Sequence, residues 1–225
     1  PAQIFKTLQA LDEEIAWLAA LWGEQLRDCR VVGSVSHQHL YGFTFRVMLP
    51  MALGLASDAA MIHFPEQLVA YSNHPLLFIS SPAFLKRLDA NLAAPTFKSV
   101  ISAAGKLDDD TAQNARAWLK TPVSEIYGTT ETGVLAWRQH SPEWQPFPQV
   151  RFTPQGDGWQ VESALIHQRC VQLDDILEFS PKGSFRLLGR RDRIIKIEEK
   201  RISLSEIERR LLTLPGIEDA AVVPI

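Results

Sequence analysis

Leu8, Leu11, Ile15, Leu18 and Trp22 recur at alternating spacings of three and four, which predicts a helix with one apolar stripe and with Asp12, Glu13 and Glu14 mostly off it. A strand is expected over 30–35, a buried helical segment over 41–55 and a short apolar strand over 76–79. Ser81 followed by Pro82 is a helix start: serine caps the first turn and proline is tolerated inside it. Residues 98–102 read as a strand, 108–119 as a helix with acidic residues at its positive end, and 123–127 as a strand. Strands alternating with helices imply a largely parallel sheet with crossover helices, hence an α/β fold.

After Thr132 the pattern changes to short strands in succession, at 134–138, 150–153, 159–163, 176–179 and 184–188. The turns Gln155-Gly156-Asp157-Gly158 and Ser180-Pro181-Lys182-Gly183 separate some of them, so this part is expected to be antiparallel and barrel-like or a meander. A break falls at 189–192. Beyond it 193–197 and 200–204 read as a hairpin, and Ser205 with Glu208 as a capping box opening a helix to about Leu212. Leu214-Pro215-Gly216 stops that helix, and 217–223 is expected to form a last strand. There is no internal repeat and no low-complexity segment.

Composition narrows the function classes. A chain of 225 residues, 46% hydrophobic and 22% charged, can bury a core and is too apolar to be disordered. A net charge of −3 gives no electrostatic case for nucleic acid or an anionic membrane, though a local phosphate pocket needs only a few donors. Cys29 and Cys170 lie far apart and outside any CxxC, which favours reduced thiols over a disulfide or a zinc site. The longest apolar stretch, 47–56, contains Pro50 and is too short to span a bilayer. No signal peptide is visible, so the expected location is cytoplasmic. The first residue is Pro1 rather than Met, so the N-terminus is expected to be missing or processed.

Three segments carry candidate chemistry. In Tyr127-Gly128-Thr129-Thr130-Glu131 a strand ends at an aromatic ring that could stack on a flat base. Hydroxyls that could reach phosphate oxygens follow it, with one carboxylate able to hold Mg²⁺ beside phosphates. Ligands of open α/β sheets sit beyond the carboxyl ends of strands, where this segment falls. The same residues also suit a helix N-cap with a capping glutamate. Gly189-Arg190-Arg191-Asp192-Arg193 is either a solvated hairpin turn or a hinge whose cation faces a nucleotide. Asp174-Asp175 is either an exposed turn or the grip on paired ribose hydroxyls.

The order of YGTTE, a carboxylate before a strand, and GRRDRIIKI with KRISLSEIE resembles the adenylate-forming superfamily. That superfamily includes acyl- and aryl-CoA synthetases, the adenylation domains of peptide synthetases, and luciferases. Ser36-His37-Gln38-His39-Leu40-Tyr41-Gly42-Phe43 is similar to the family's His-x-x-Gly segment near the acyl pocket, and Ser102-Ala103-Ala104-Gly105-Lys106-Leu107 to its small-residue loop beside adenine. The resemblance runs along essentially the whole chain. It implies part of a large N-terminal domain over 1–189, then a hinge and the start of a small α+β C-terminal lid over 190–225.

Carried over to these positions, the resemblance implies that Tyr127 stacks on adenine, in a nucleotide site with Ala103, Ala104, Gly105, Gly128 and Thr129. Thr130 would meet the α-phosphate, Glu131 would hold Mg²⁺, and Thr130 and Glu131 would be the catalytic pair. Asp175 would bind ribose, Arg190 would reach ribose or phosphate, His39 would border the acyl substrate, and Asp192 would be the hinge of the lid. The implied reaction joins a small carboxylic acid to ATP as an acyl-adenylate, then passes the acyl group to a thiol of CoA or of a carrier protein's phosphopantetheine.

The sequence also departs from the family. The Gly/Ser/Thr-rich phosphate loop and the late lysine of the lid are absent, so the chain is expected to be inactive alone. Pro1-Ala2-Gln3-Ile4 resembles the residues just after that loop, with Ala2 where a lysine is common, and Glu198-Glu199 stands where a glycine is usual beside CoA. The rival readings are a peptide-synthetase-like adenylation domain acting on an acyl-carrier protein and a non-catalytic nucleotide-binding fragment.

Overall fold

The computed structural model describes residues 3–71, 73–105, 107–167, 170–197, 200–217 and 220–223. Its centre is a seven-stranded sheet of order β2-β1-β3-β4-β5-β6-β7. The strands are β1 (Arg30–Gly33), β2 (Ala56–Met61), β3 (Leu76–Ser80), β4 (Phe97–Ser102), β5 (Val123–Thr129), β6 (Gly133–Gln139) and β7 (Gln145–Pro146). Strands β2, β1, β3, β4 and β5 run parallel, and β6 and β7 are antiparallel additions.

Both faces of this sheet are covered. On one lie α1 (Leu8–Trp22) and the helical stretch α2 (Leu40–Phe43), a π-helical turn Thr44–Met48 and α3 (Leu49–Leu53), through Trp17, Leu18, Trp22, Phe45 and Leu49. On the other lie α4 (Pro82–Leu85) and α5 (Asp109–Leu119), through Phe84, Leu85, Trp118 and Leu119. All five residues of β3 are therefore buried, which is why Leu-Leu-Phe-Ile-Ser reads as an unbroken apolar run instead of alternating. Asp108 caps α5 by accepting from the Thr111 amide at 2.8 Å, and Lys120 ends the helix in a left-handed conformation.

Beyond β7 the chain forms small antiparallel sheets, not a closed barrel. One has order β10-β9-β8, from β8 (Arg151–Gln155), β9 (Gly158–Glu162) and β10 (Val171–Leu173); the other pairs β11 (Asp175–Phe179) with β12 (Phe185–Arg190). Phe185 joins them to the main sheet. It is fully buried, bridges to Trp144, and packs its ring 5.2 Å from Phe179, 5.3 Å from Phe152 and 5.7 Å from Tyr127. A single turn, Arg191–Arg193, leads to the hairpin of β13 (Ile194–Ile197) and β14 (Lys200–Ser203), followed by α6 (Leu204–Leu211).

Four expectations change. The buried face of α1 holds Ala10, Glu14, Ile15, Trp17, Leu18 and Trp22, while Leu8 is 77% exposed, so Glu14 lies inside and the stripe is rotated. Met51, expected in a buried helix, is 73% exposed. Helix α6 is capped by Ser203, which accepts from the Glu206 amide, so Ser205 falls within the first turn and is not the cap. Over 217–223 the described residues, 217 and 220–223, form no strand. Three strands were not anticipated: β2, β7 and β10. β2 is an edge strand with no buried residue and no apolar alternation to betray it.

Phe185→Ala is expected to cost about 3–5 kcal/mol, because it removes the ring on which the aromatic cluster converges and leaves a cavity. Urea unfolding of both proteins measures this; a loss below about 1 kcal/mol would mean that the cluster does not hold the two parts together.

Candidate nucleotide and acyl site

Beyond the carboxyl ends of the parallel strands lies a cavity of about 470 Å³. It brings together His39, Ala103, Ala104, Gly128, Thr129 and Thr130 from the sequence-derived set, with Glu14, Gln38, Leu40, Tyr41, Thr44, Phe45, Ile126, Gly133 and Val134. Four chain segments meet there: α1 at Glu14, the segment running through α2 to Phe45, the loop after β4, and the β5–β6 hairpin.

The β5–β6 turn is a hairpin, which removes the helix-cap reading of Gly-Thr-Thr-Glu. Thr129 pairs with Gly133 across a turn over 130–132, and Thr132 Oγ1 accepts from the Thr129 amide at 3.0 Å. The register slips between Tyr127 and Gly128, a bulge of the kind that re-aims side chains beside sites. A Cβ on Gly128 would stand 2.1 Å from the Gly133 carbonyl oxygen, so the hairpin closes only over glycine there. Thr130 and Glu131 are exposed on the turn. Lys6 Nζ clamps it, donating to the carbonyls of Glu131 and Leu165 at 2.9 Å each.

His39 is exposed at the start of α2 and makes no side-chain cap, while its carbonyl accepts from the Phe43 amide at 2.8 Å. In the loop after β4, Ala104 takes a left-handed φ of 67° at the cavity wall. Gly105 is exposed but outside the lining, and Lys106 lies outside the described residues. Ser102 Oγ, just before this loop, is buried without a hydrogen-bond partner among the described residues.

Tyr127, Asp175 and Arg190 form a second group, outside the cavity lining. The Tyr127 ring is 8% exposed, with ring centroids 5.7 Å from both Trp144 and Phe185, and its hydroxyl donates to Asp175 Oδ2 at 2.8 Å. In this conformation the ring packs against Trp144 and Phe185 at tilted and edge-on angles, and its hydroxyl holds Asp175. Arg190 is the cross-strand partner of Asp175 and sits 3.6 Å from the Asp174 carboxylate. Asp192 lies in the turn Arg191–Arg193, and its side chain is outside the described residues, as are Ala2, Glu198 and Glu199 altogether. Among the described residues no cluster of three or more His, Cys, Asp or Glu could hold a metal, and no helix is long and apolar enough to cross a membrane.

Sequence reasoning missed Glu14. It is 3% exposed and lines the cavity, and burial pushes its pKa up against the hydrogen bonds from the Val134 amide and Thr44. Its place four residues after Ala10 and three before Trp17 was the available signal.

Among known proteins, a 4-coumarate–CoA ligase from Cereibacter sphaeroides is 25% identical over 194 residues, covering 86% of this chain. A second 4-coumarate–CoA ligase, from Halorhodospira halophila, is 31% identical over 224 residues, covering 95% of this chain. Over nearly its whole length the chain is similar to ligases of the adenylate-forming superfamily. It spans about half the length of these adenylate-forming relatives, 46% and 54%. Part of it, 124 residues, is 29% identical to the nonribosomal peptide synthetase nlsA of Emericella nidulans, covering 55% of this chain and 2% of that one. No family model matches. The adenylate-forming fold recurs in the O-succinylbenzoate coenzyme A synthetase of Bacillus subtilis, solved with ATP and magnesium, at a TM-score of 0.82 and 15% identity over 97% of this chain and 53% of that one. It recurs also in ATP-bound MatB of Rhodopseudomonas palustris, at a TM-score of 0.79 and 17% identity over 96% and 50%.

The three tyrosines give a pH prediction. Burial raises Tyr41 and Tyr127, the latter helped by the Asp175 carboxylate, and a hydrogen bond to Asp58 raises Tyr71. Folding therefore favours the neutral phenols. Their contribution to stability is complete below the ordinary tyrosine pKa of about 10 and is lost as pH rises beyond it. Phenolate absorbance should stay low in the folded protein above that pH and appear together with unfolding; smooth titration at the ordinary value before unfolding would contradict the buried geometry.

Proposed function

We propose that the protein carrying this chain activates a carboxylic acid with ATP, forming an acyl-adenylate and pyrophosphate, and passes the acyl group to a thiol. The observation that carries the reading is the single cavity at the strand ends that joins His39, Ala103, Ala104, Gly128, Thr129 and Thr130, in a chain whose relatives are 4-coumarate–CoA ligases. Thr130 is assigned to the α-phosphate and the acid lies between it and His39. Asp175, held by Tyr127, takes the ribose hydroxyls, with Arg190 beside it. Attack of an anion on a polyanion is opposed by charge, and donors fixed in advance offset that repulsion.

Glu131 is the residue assigned to Mg²⁺. A lone exposed carboxylate beside two hydroxyl residues fits an ion that keeps several waters and takes few protein ligands. When bound, the ion would neutralise phosphate charge. CoA is the proposed acceptor, as in the ligase relatives, and the partial likeness to a peptide synthetase favours a carrier protein as the second reading. The proposed division is a large adenylation domain over 1–189 and a hinge and lid over 190–225, with Asp192 at the turn between β12 and β13.

Pyrophosphate exchange by the full-length protein that carries this chain, against fatty, aryl and amino acids, tests the reading; no exchange with any acid would overturn it. Glu131→Ala should lower exchange by the equivalent of about 2–4 kcal/mol of transition-state stabilisation with little change in unfolding. Exchange close to wild type would remove Glu131 from the site.

Asp192→Pro fixes φ and deletes a backbone donor at the proposed hinge. Thioester formation should then fall much more than exchange, because the lid must rotate between the two half-reactions. Equal losses in both assays would make this an ordinary surface turn.

A further inference from the structure

Glu14 is a carboxyl group that α1 carries to the cavity wall, where nothing above gives it work. Its two oxygens each accept one hydrogen bond, Oε1 from the Val134 amide at 2.8 Å and Oε2 from Thr44 Oγ1 at 3.0 Å. A carboxylate offers about four acceptor positions, so about two remain. The pocket around it is built: Gly133 has a φ of 71°, and a Cβ there would stand 2.7 Å from Glu14 Oε1. Lys6, the cation whose charge acts on Glu14, is committed to two backbone carbonyls.

Leu40, Tyr41, Phe45, Ile126 and Val134 give the cavity apolar and in part aromatic walls, beside polar lining at Gln38, His39, Thr44 and the β5–β6 turn. Tyr41 spends its hydroxyl on the carbonyls of Ser80 and Ile101, at 3.1 and 2.9 Å, so it offers the cavity a ring, packed 5.1 Å from Phe45. Apolar and aromatic walls with a buried carboxylate among them suit an aromatic acid that carries a donor away from its reacting end.

We propose that Glu14 is a specificity-determining residue that accepts a hydrogen bond from a hydroxyl on an aromatic or arylacrylic acid, and that it disfavours dicarboxylates. This rests on the acid-activation reading. The substrate carboxylate is committed to the phosphate at Thr130, so the remainder of the acid must lie along the other walls of the cavity. An acid without the hydroxyl leaves a buried acceptor short of donors, and an acid with a second carboxylate sets like charges together in a poorly solvated place. Sites that read a substrate hydroxyl reject analogues lacking it strongly; because Glu14 already holds two protein donors, a preference of about tenfold or more is expected.

The test measures calorimetric Kd and pyrophosphate-exchange kcat/KM for 4-hydroxybenzoate, 4-hydroxycinnamate, benzoate, cinnamate and terephthalate, in the full-length wild-type protein that carries this chain and in its Glu14→Gln variant. Glutamine keeps the shape and an acceptor for the Val134 amide. The wild type should prefer each hydroxylated acid to its parent by about tenfold or more, mainly through KM and Kd. In Glu14→Gln that ratio should fall towards one, and terephthalate should gain relative to benzoate. A ratio unchanged by the substitution overturns the proposal, and so does a wild type with exchange activity but no hydroxyl preference, which decides the matter even where the variant does not fold. Exchange that is absent with every acid, together with no binding, overturns the acid-activation reading as well.

Discussion

A sheet covered on both faces can meet a ligand only at the ends of its strands, and that constraint organises this molecule. With α1 to α3 on one side and α4 and α5 on the other, β3 and most of β4 have no surface left for chemistry. Polar backbone and small side chains therefore accumulate at and just past the carboxyl ends: Ser34 against Ser80 at 3.0 Å, Ser102 without a partner among the described residues, then Ala103 and Ala104. The β5–β6 hairpin closes the cavity from the side, and its geometry depends on glycine at 128 and on the Lys6 clamp.

How much of this was legible in the sequence follows from what each signal responds to. Unbroken apolar runs and punctuated turns report burial and local backbone conformation, so the positions of β3, β4, α5 and the Gly156 and Gly183 turns could be read directly. Strand β2 could not be, because an exposed edge held by backbone pairing to β1 needs no apolar residues. Glu14 was assigned to the outside because an acidic residue on an amphipathic helix ordinarily faces water, and its partners, Thr44 and Val134, are 30 and 120 residues away. Hydrogen bonds at such separations leave no periodic trace.

The motif around Tyr127 shows the same limit at finer scale. The residue types identified the segment, and the cavity does gather Gly128, Thr129 and Thr130. They could not say which way the ring turns. Successive side chains of a strand point to opposite faces, so Ile126 facing the cavity sends Tyr127 to the other side, against Trp144 and Phe185.

That opposition divides the candidate site between two faces of β5. The residues proposed to meet phosphate open into the cavity, while the pair proposed to meet ribose, Asp175 with Arg190, hangs from the small β11–β12 sheet. A nucleotide that reaches both must pass over the tip at Gly128–Thr130, where β5 ends. The hydrogen bond from Tyr127 to Asp175 then acts as a brace across the strand, fixing the small sheet relative to the large one. A buried phenol bonded to a carboxylate is a strong neutral-to-charged pair, so the brace resists sliding of β11 where a ligand would need Asp175 in place. The next residues along that sheet are Arg191, bonded to Asp157 and to the Asp174 carbonyl, and the turn into β13. Rotation of the last hairpin about that turn would therefore leave Asp175 undisturbed, so a ribose held there could keep its place while the elements beyond it move.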